Sequence, residues 1–324
     1  MPAPEDMTGV PTTDWKRIVF RLSGITYRNS SHDHVRALVA KATNVSKDSV
    51  VVYSVATTLS PWEMPRTRVA TLMFLEVPDV LEHSEGGPNQ WSLGDNNALV
   101  LDIHFLGLTP LNDVEQSQHV ADCVAISGLA SHAFGSWQPR GNDKTFMWIR
   151  DQVPGFVPGV RVITYGYESK LAGSSSFQTT GDLARGLISQ IGANGGAHEN
   201  AKPLVFLAHS LGGIVLKDAL CRLAHRPDTS VERKILKRCK GAIMFGVPNL
   251  GMKQEHFLTI MRSKPAAYEH LVQGLSLESG ARGYLNDLEE SFGGISQLCE
   301  MTFYWVYETD QSPTYDVRHS ISML

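Results

Sequence analysis

Ser210 stands in the run PLVFLAHSLGGIV at 203–215, between an apolar stretch and a segment of helical period. Leu204–Leu207 has the continuous apolar character of a strand buried on both faces, and the apolar positions continue past the glycines to Leu220 and Leu223 at helical spacing. A buried strand that runs straight into a helix presents the turn residue at the sheet edge. The turn is so tight that the residues two away on either side must be small. Gly212 meets that demand on one side, and Ala208, one methyl larger than the usual glycine, meets it on the other. The chemistry open to such a serine is nucleophilic attack on a carbonyl. A phosphate-cradling loop of similar outline would carry Lys-Ser or Lys-Thr after its glycines, whereas Ile214–Val215 follow here.

A serine hydroxyl of ordinary pKa is a poor nucleophile. Ser210 therefore requires a histidine base, a carboxylate to orient that base, and backbone donors for the developing oxyanion. The expected donors are the N–H of Leu211 and the N–H of Leu129, in the loop Ser127–Gly128–Leu129–Ala130 where Gly128 allows close backbone approach. The chain order Ser…Asp/Glu…His places the acid at the end of a strand beyond the elbow. Glu308 follows Tyr304–Tyr307 there, and Asp310 is second in line. His319 is the only histidine downstream of either acid. His256 and His270 come before the last strand, at helical positions. Strand alternation points His209 away from Ser210. No metal or organic cofactor is implied.

Two organisations flank these residues. Residues 1–15 carry Pro, Asp and Glu without an apolar stretch, and read as disordered. Over 16–112, Arg17–Ile25, Ser31–Ala42, Ser49–Val55, Arg68–Leu75, Asp79–His83 and Ala98–Leu106 read as strand, helix, strand, strand, short helix, strand. That is the order of a small α+β, ferredoxin-like leader. RNA-recognition modules share it, but RVATLMFL at 68–75 offers only Phe74 for stacking. No nucleic-acid partner is expected, and protein partners are the expected use of the leader. Over 118–324, strands at Ala121–Ser127, Val160–Tyr165, Leu204–Ala208, Gly241–Gly246 and Met301–Tyr307 alternate with helical segments, the pattern of a mostly parallel α/β sheet.

The chain has 324 residues, 42% of them hydrophobic and 19% charged, with a net charge of −4. Such a composition can bury a large core and has no general attraction for nucleic acid or anionic membrane. Cys123, Cys221, Cys239 and Cys299 lie far apart with no CxxC pair, so reduced packing thiols are expected. Pro203–Leu216 is too short to span a membrane, and the amino-terminal residues lack a secretory signal. An intracellular, cytoplasmic location is expected. Arg233–Lys240 (RKILKRCK) holds five basic residues that either touch anionic headgroups or form a solvated helix end. Gly173–Ser176 is either a pocket edge or a polar turn.

Six motifs follow one another in order: SGLASHAFGSW at 127–137, MWIR at 147–150, TYGYE at 164–168, AHSLGG at 208–213, FGVPNLGM at 245–252 and YWVYETDQSPT at 304–314. Together they resemble the lipase-like α/β-hydrolases of the serine active site-containing protein family. That family is related to GPI inositol-deacylases and to the amino-terminal hydrolase domains of fungal NOD-like-receptor and repeat proteins. Residues of about 16–118, including FLGLTPLN at 105–112, look like the leader of those fungal proteins. The resemblance implies an α/β-hydrolase fold, an acid at the YET-like run that holds Glu308, and a lipid or other hydrophobic ester as substrate. It also implies peripheral contact at a mitochondrial or endoplasmic reticulum membrane as an alternative location. The chain departs from the family pattern at Ser127 and Asn249, where histidines are usual, and at Ala208, where glycine is. The family continues past the segment matching Thr314 with a further strand and a histidine loop, which 118–324 is expected to lack. Two functions follow: a serine ester hydrolase, or a hydrolase-fold signalling and interaction module that has lost its base.

Overall fold

The computed structural model describes residues 18–27, 31–81, 89–94, 98–129, 132–139, 145–167, 178–249, 251 and 282–307. The amino-terminal part forms a five-stranded antiparallel sheet in the order β2-β3-β1-β5-β4, from β1 (Phe20–Thr26), β2 (Val50–Thr57), β3 (Thr67–Phe74), β4 (Gln90–Leu93) and β5 (Leu99–Asp102). Four of these strands, β2-β3-β1-β5, have the ferredoxin-like order. Of the short helix expected at Asp79–His83, Asp79–Leu81 is a 3₁₀ turn and residues 82 and 83 lie outside the described residues, while β4 adds an edge strand that the sequence did not signal. Helix α1 (His32–Thr43) covers one face. Ser31 caps its start by accepting from the N–H of His34, and Asn44 ends it at φ 55°. Val35 and Val39 of α1 bury against Phe20, Leu22, Leu72, Phe74 and Leu101, which gives the leader a core of its own.

The second sheet has six strands in the order β11-β10-β9-β7-β8-β6. They are β6 (Gly107–Pro110), β7 (Ala121–Ile126), β8 (Val160–Gly166), β9 (Leu204–His209), β10 (Cys239–Phe245) and β11 (Thr302–Val306). All neighbours are parallel except β6, which pairs antiparallel with β8. β6 lies within the span read from the sequence as leader, yet it belongs to this sheet. Pro110 is tolerated there because β6 is an edge strand.

Parallel neighbours need crossover connections. Helices α2 (Trp148–Asp151) and α3 (Val153–Phe156) lie between β7 and β8, α4 (Thr180–Ala193) between β8 and β9, and α5 (Leu211–Ala224) and α6 (Val231–Arg238) between β9 and β10. Helix α7 (Arg282–Gly294) precedes β11. Strand alternation divides the core. Val124, Ile126, Ile163, Phe206 and Ala208 face α4, α5 and α7. Cys123, Ala125, Val162 and Leu207 face Phe134, Trp137, Met147 and Ile149 of the β7–β8 connection, and the leader's Val19 joins that second cluster. The strand order, the parallel run and the serine turn after β9 make this an α/β-hydrolase fold with a mostly parallel sheet, preceded by a small ferredoxin-like α+β sheet.

Among the described residues no helix is long and apolar enough to cross a membrane. Two of the five cations in Arg233–Lys240 are used internally. Arg233 is buried and donates to the carbonyls of Leu223 and Ala224 at the end of α5, and Arg238 donates to the carbonyls of His198 and Ala201. Burial pushes the thiols of Cys123 and Cys239 up to about 12 and that of Cys221 up to about 11, so all three stay protonated near neutrality.

Candidate active site

The chain crosses from β7 to β8 on one side and returns to β9 on the other, so the strand order reverses between β7 and β9. Ligands of open α/β sheets bind outside the carboxyl ends of the strands at such a point. Two loops meet there: Ser127–Gly128–Leu129 after β7, and Ser210 after β9.

Ser210 has φ 52° and ψ −123°, a conformation that costs a non-glycine residue on the order of 1–3 kcal/mol. Two backbone hydrogen bonds hold it. Its N–H donates to the carbonyl of Phe245 at 2.8 Å, and its own carbonyl accepts from the N–H of Gly213 at 2.9 Å. Serine is ordinarily a strong helix cap, but here the side chain makes no capping hydrogen bond, which leaves Oγ uncommitted to the helix. The unpaired N–H groups and positive dipole end of the 14-residue helix α5 lie directly beyond it.

The glycines are there for space. A Cβ on Gly212 would stand 2.5 Å from the carbonyl oxygen of Ser127 and 2.6 Å from that of Ile126, so the first turn of α5 lies hard against the end of β7. A Cβ on Gly213 would meet Val247 at 2.2 Å, and one on Gly128 would meet Ser210 Cβ at 2.9 Å. Gly128 therefore brings the β7 loop into contact with the serine. The carbonyl of Ser127 is fixed by the hydroxyl of Tyr167, which donates to it at 2.7 Å. Burial, with the neighbouring Tyr165, pushes the Tyr167 phenol well above its ordinary range, so it remains a donor. Leu211 is buried, and Leu129 packs partly buried against the main core. His209 sets Nδ1 3.1 Å from where a Gly128 Cβ would stand, against the β7 loop.

On the other face, Trp137, Trp148 and Phe245 pack edge-on with ring centroids 5.9–6.4 Å apart, an apolar wall attached to the residue whose carbonyl holds the Ser210 N–H. Glu308, Asp310, His319, His256, His270 and Gly173–Ser176 lie outside the described residues. β11 ends at Val306, two residues before Glu308, at the same sheet edge as the ends of β9 and β10. Among the described residues no group of three or more His, Cys, Asp or Glu could hold a metal ion.

Lys217 was legible in the sequence only as one position of a helix. It is fully buried seven residues past Ser210. Its ammonium donates to Asn249 Oδ1 at 3.0 Å and to Glu289, and it lies 5.0 Å from the Phe292 ring centroid and 4.8 Å from that of Trp305. Desolvation lowers its pKa, opposed by Glu289. One cation thus joins the helix that follows the serine to the loop after β10, to α7 and to β11. The signal was a lone cation in the otherwise apolar first half of LGGIVLKDALCRLA.

No protein-family model matches the chain. It is 25% identical over 218 residues to Protein SERAC1 of Danio rerio, covering 60% of this chain and 31% of that protein. Against Protein SERAC1 of Bos taurus it is 24% identical over 149 residues, covering 40% and 22%. The chain thus spans less than a third of the length of either relative. Among solved structures it is similar to the Bacillus licheniformis lipase BlEst2 in mature form. The TM-score is 0.39 at 12% identity, over 60% of this chain and 66% of that one.

Proposed function

We propose that this chain is a serine ester hydrolase acting on a lipid or other hydrophobic acyl ester, with Ser210 as nucleophile. In this reading Ser210 Oγ attacks the ester carbonyl and the N–H groups of Leu211 and Leu129 hold the oxyanion. His319 takes the hydroxyl proton and passes it to the leaving alcohol, oriented by Glu308. The acyl-enzyme then yields to water by the same route. The observation that carries the proposal is Ser210 itself. It is held at positive φ on a strand-to-helix turn, at the point where the strand order reverses, with its side chain unused as a cap and Gly128 against it. Trp148 and Phe245, part-buried and packed edge-on, with the Phe245 carbonyl bonded to the Ser210 N–H, support an apolar acyl group over a charged one.

Turnover of p-nitrophenyl esters from acetate to palmitate tests it. Ser210→Ala should abolish turnover, and Glu308→Ala and His319→Ala should each lower kcat on the order of 10⁴-fold. Asp310→Ala should leave it nearly unchanged. If Asp310→Ala gives the large loss instead, the acid is Asp310. If no ester is turned over at all, the chain is the non-catalytic interaction module.

A further inference from the structure

Tyr167 holds the carbonyl of Ser127 at the start of the loop after β7, and His132, further along the chain, contacts the leader. His132 stands three residues beyond Leu129, so their Cα atoms lie within about 11 Å of each other whatever course the chain takes between them. Its imidazole is engaged at both nitrogens. Nδ1 lies 3.2 Å from the backbone nitrogens of both Phe134 and Gly135, and Nε2 lies 2.8 Å from the carbonyl oxygen of Ile103. A ring nitrogen that accepts two amide N–H groups carries no proton. The partners therefore assign the neutral tautomer protonated at Nε2, which donates to Ile103.

Ile103 belongs to a stiff corner at the end of the leader sheet. Asp102 Oδ1 accepts from the N–H groups of His104 and Phe105 at 2.9 and 2.8 Å, and Asp102 Oδ2 accepts from Arg21 Nε at 2.8 Å. Arg21 also donates to the carbonyl of Leu106 and to Thr109 Oγ1. Phe105, at φ 52°, presents its carbonyl where a Cβ on Gly166 would come within 1.9 Å, so the corner abuts the end of β8. Its ring stands edge-on to His132 at 5.1 Å and lies 5.8 Å from Phe134. Phe134 in turn lies 6.2 Å from Tyr53 of β2.

We propose that His132 is a positioning residue through which the leader orders the loop after β7, and with it the backbone donor at Leu129. The catalytic consequence rests on the serine-hydrolase reading above; the ordering does not. An oxyanion donor must be held within about half an ångström of its productive position. Tyr167 fixes the upstream end of this loop, at the carbonyl of Ser127. The staple makes the leader a working part of the hydrolase, beyond any docking of partners.

Two isosteres separate this role from a local one. In His132→Asn the side-chain oxygen replaces Nδ1 and can accept from the N–H groups of Phe134 and Gly135 as an Asx turn, but the side chain is too short to reach Ile103. In His132→Gln the amide replaces Nε2 and reaches Ile103, but the turn is lost. Amide hydrogen exchange over 121–137, and the rate at which a fluorophosphonate labels Ser210, are measured on the intact chain. His132→Asn should speed exchange about tenfold and slow labelling about tenfold with the probe's half-saturating concentration unchanged. His132→Gln should stay within about twofold of the parent. Phe105→Leu, on the leader side, should shift both readouts in the same direction by less, and it stands in if His132→Asn does not fold. Unchanged exchange in His132→Asn, or a larger effect in His132→Gln, overturns the proposal. Should the parent itself fail to label, exchange still decides the staple, and the failure falls on the catalytic reading.

Discussion

A methyl group on Gly128 would stand 2.9 Å from Ser210 Cβ, closer than real Cβ contacts come. The loop after β7 and the turn after β9 are therefore in contact through the smallest side chain available. Gly128→Ala should force the two apart, at a stability cost of about 1–3 kcal/mol. It should slow fluorophosphonate labelling of Ser210 more than tenfold, because the N–H of Leu129, the proposed oxyanion donor, would move with the loop. Denaturant unfolding and labelling rates check both. Labelling at the parent rate would show that the loop takes no part.

Gly212→Ala sets its methyl against the carbonyl oxygens of Ser127 and Ile126, backbone atoms that cannot rotate aside. It should cost at least as much stability as Gly128→Ala, read as a lowered urea midpoint. Ala208→Gly, on the opposite side of the turn, should cost only about 0.5–1 kcal/mol and keep Ser210 reactive. A reversed ranking would mean that the tight contact lies on the strand side.

The elbow was legible because its determinants are local: an apolar strand, a serine, and small residues two positions away. β6 was not, because a four-residue strand bounded by Gly107 and Pro110 reads as a turn. It forms only because β8 offers an edge. The partners of Lys217 were equally hidden, since Asn249 is 32 and Glu289 is 72 residues away. Periodicity shows that a residue is buried, but not which distant groups answer its charge. The Ile103 staple on His132 is of the same kind, a side chain reaching backbone 29 residues away.

Lys217→Ala should lower stability by about 3–5 kcal/mol, because it leaves Glu289 and Asn249 without their cation and opens a cavity between Phe292 and Trp305. Lys217→Met fills the same space without charge and should recover much of that loss. Urea denaturation of both variants checks it. Equal losses would show that the ammonium itself, not the volume, holds the loop after β10 and β11 in place.

Cys299 is exposed, whereas Cys123, Cys221 and Cys239 are buried. Ellman's reagent should titrate one thiol rapidly in the native chain and the rest only on unfolding. The folded-state values of Cys123 and Cys239 stand near 12 against an ordinary 9.0, so their contribution to stability is complete below pH 9.0. It is lost as pH rises from there toward 12. A native chain that exposes three or four fast thiols at neutral pH would contradict the burial.

Covalent capture of the nucleophile tests the central claim most directly. The intact chain is incubated with a fluorophosphonate, digested, and mapped by mass spectrometry. A single adduct on Ser210, absent in Ser210→Ala and blocked by prior incubation with a long-chain acyl ester, is the predicted result. No adduct on Ser210 in the folded chain, or an equal adduct in Ser210→Ala, would contradict it.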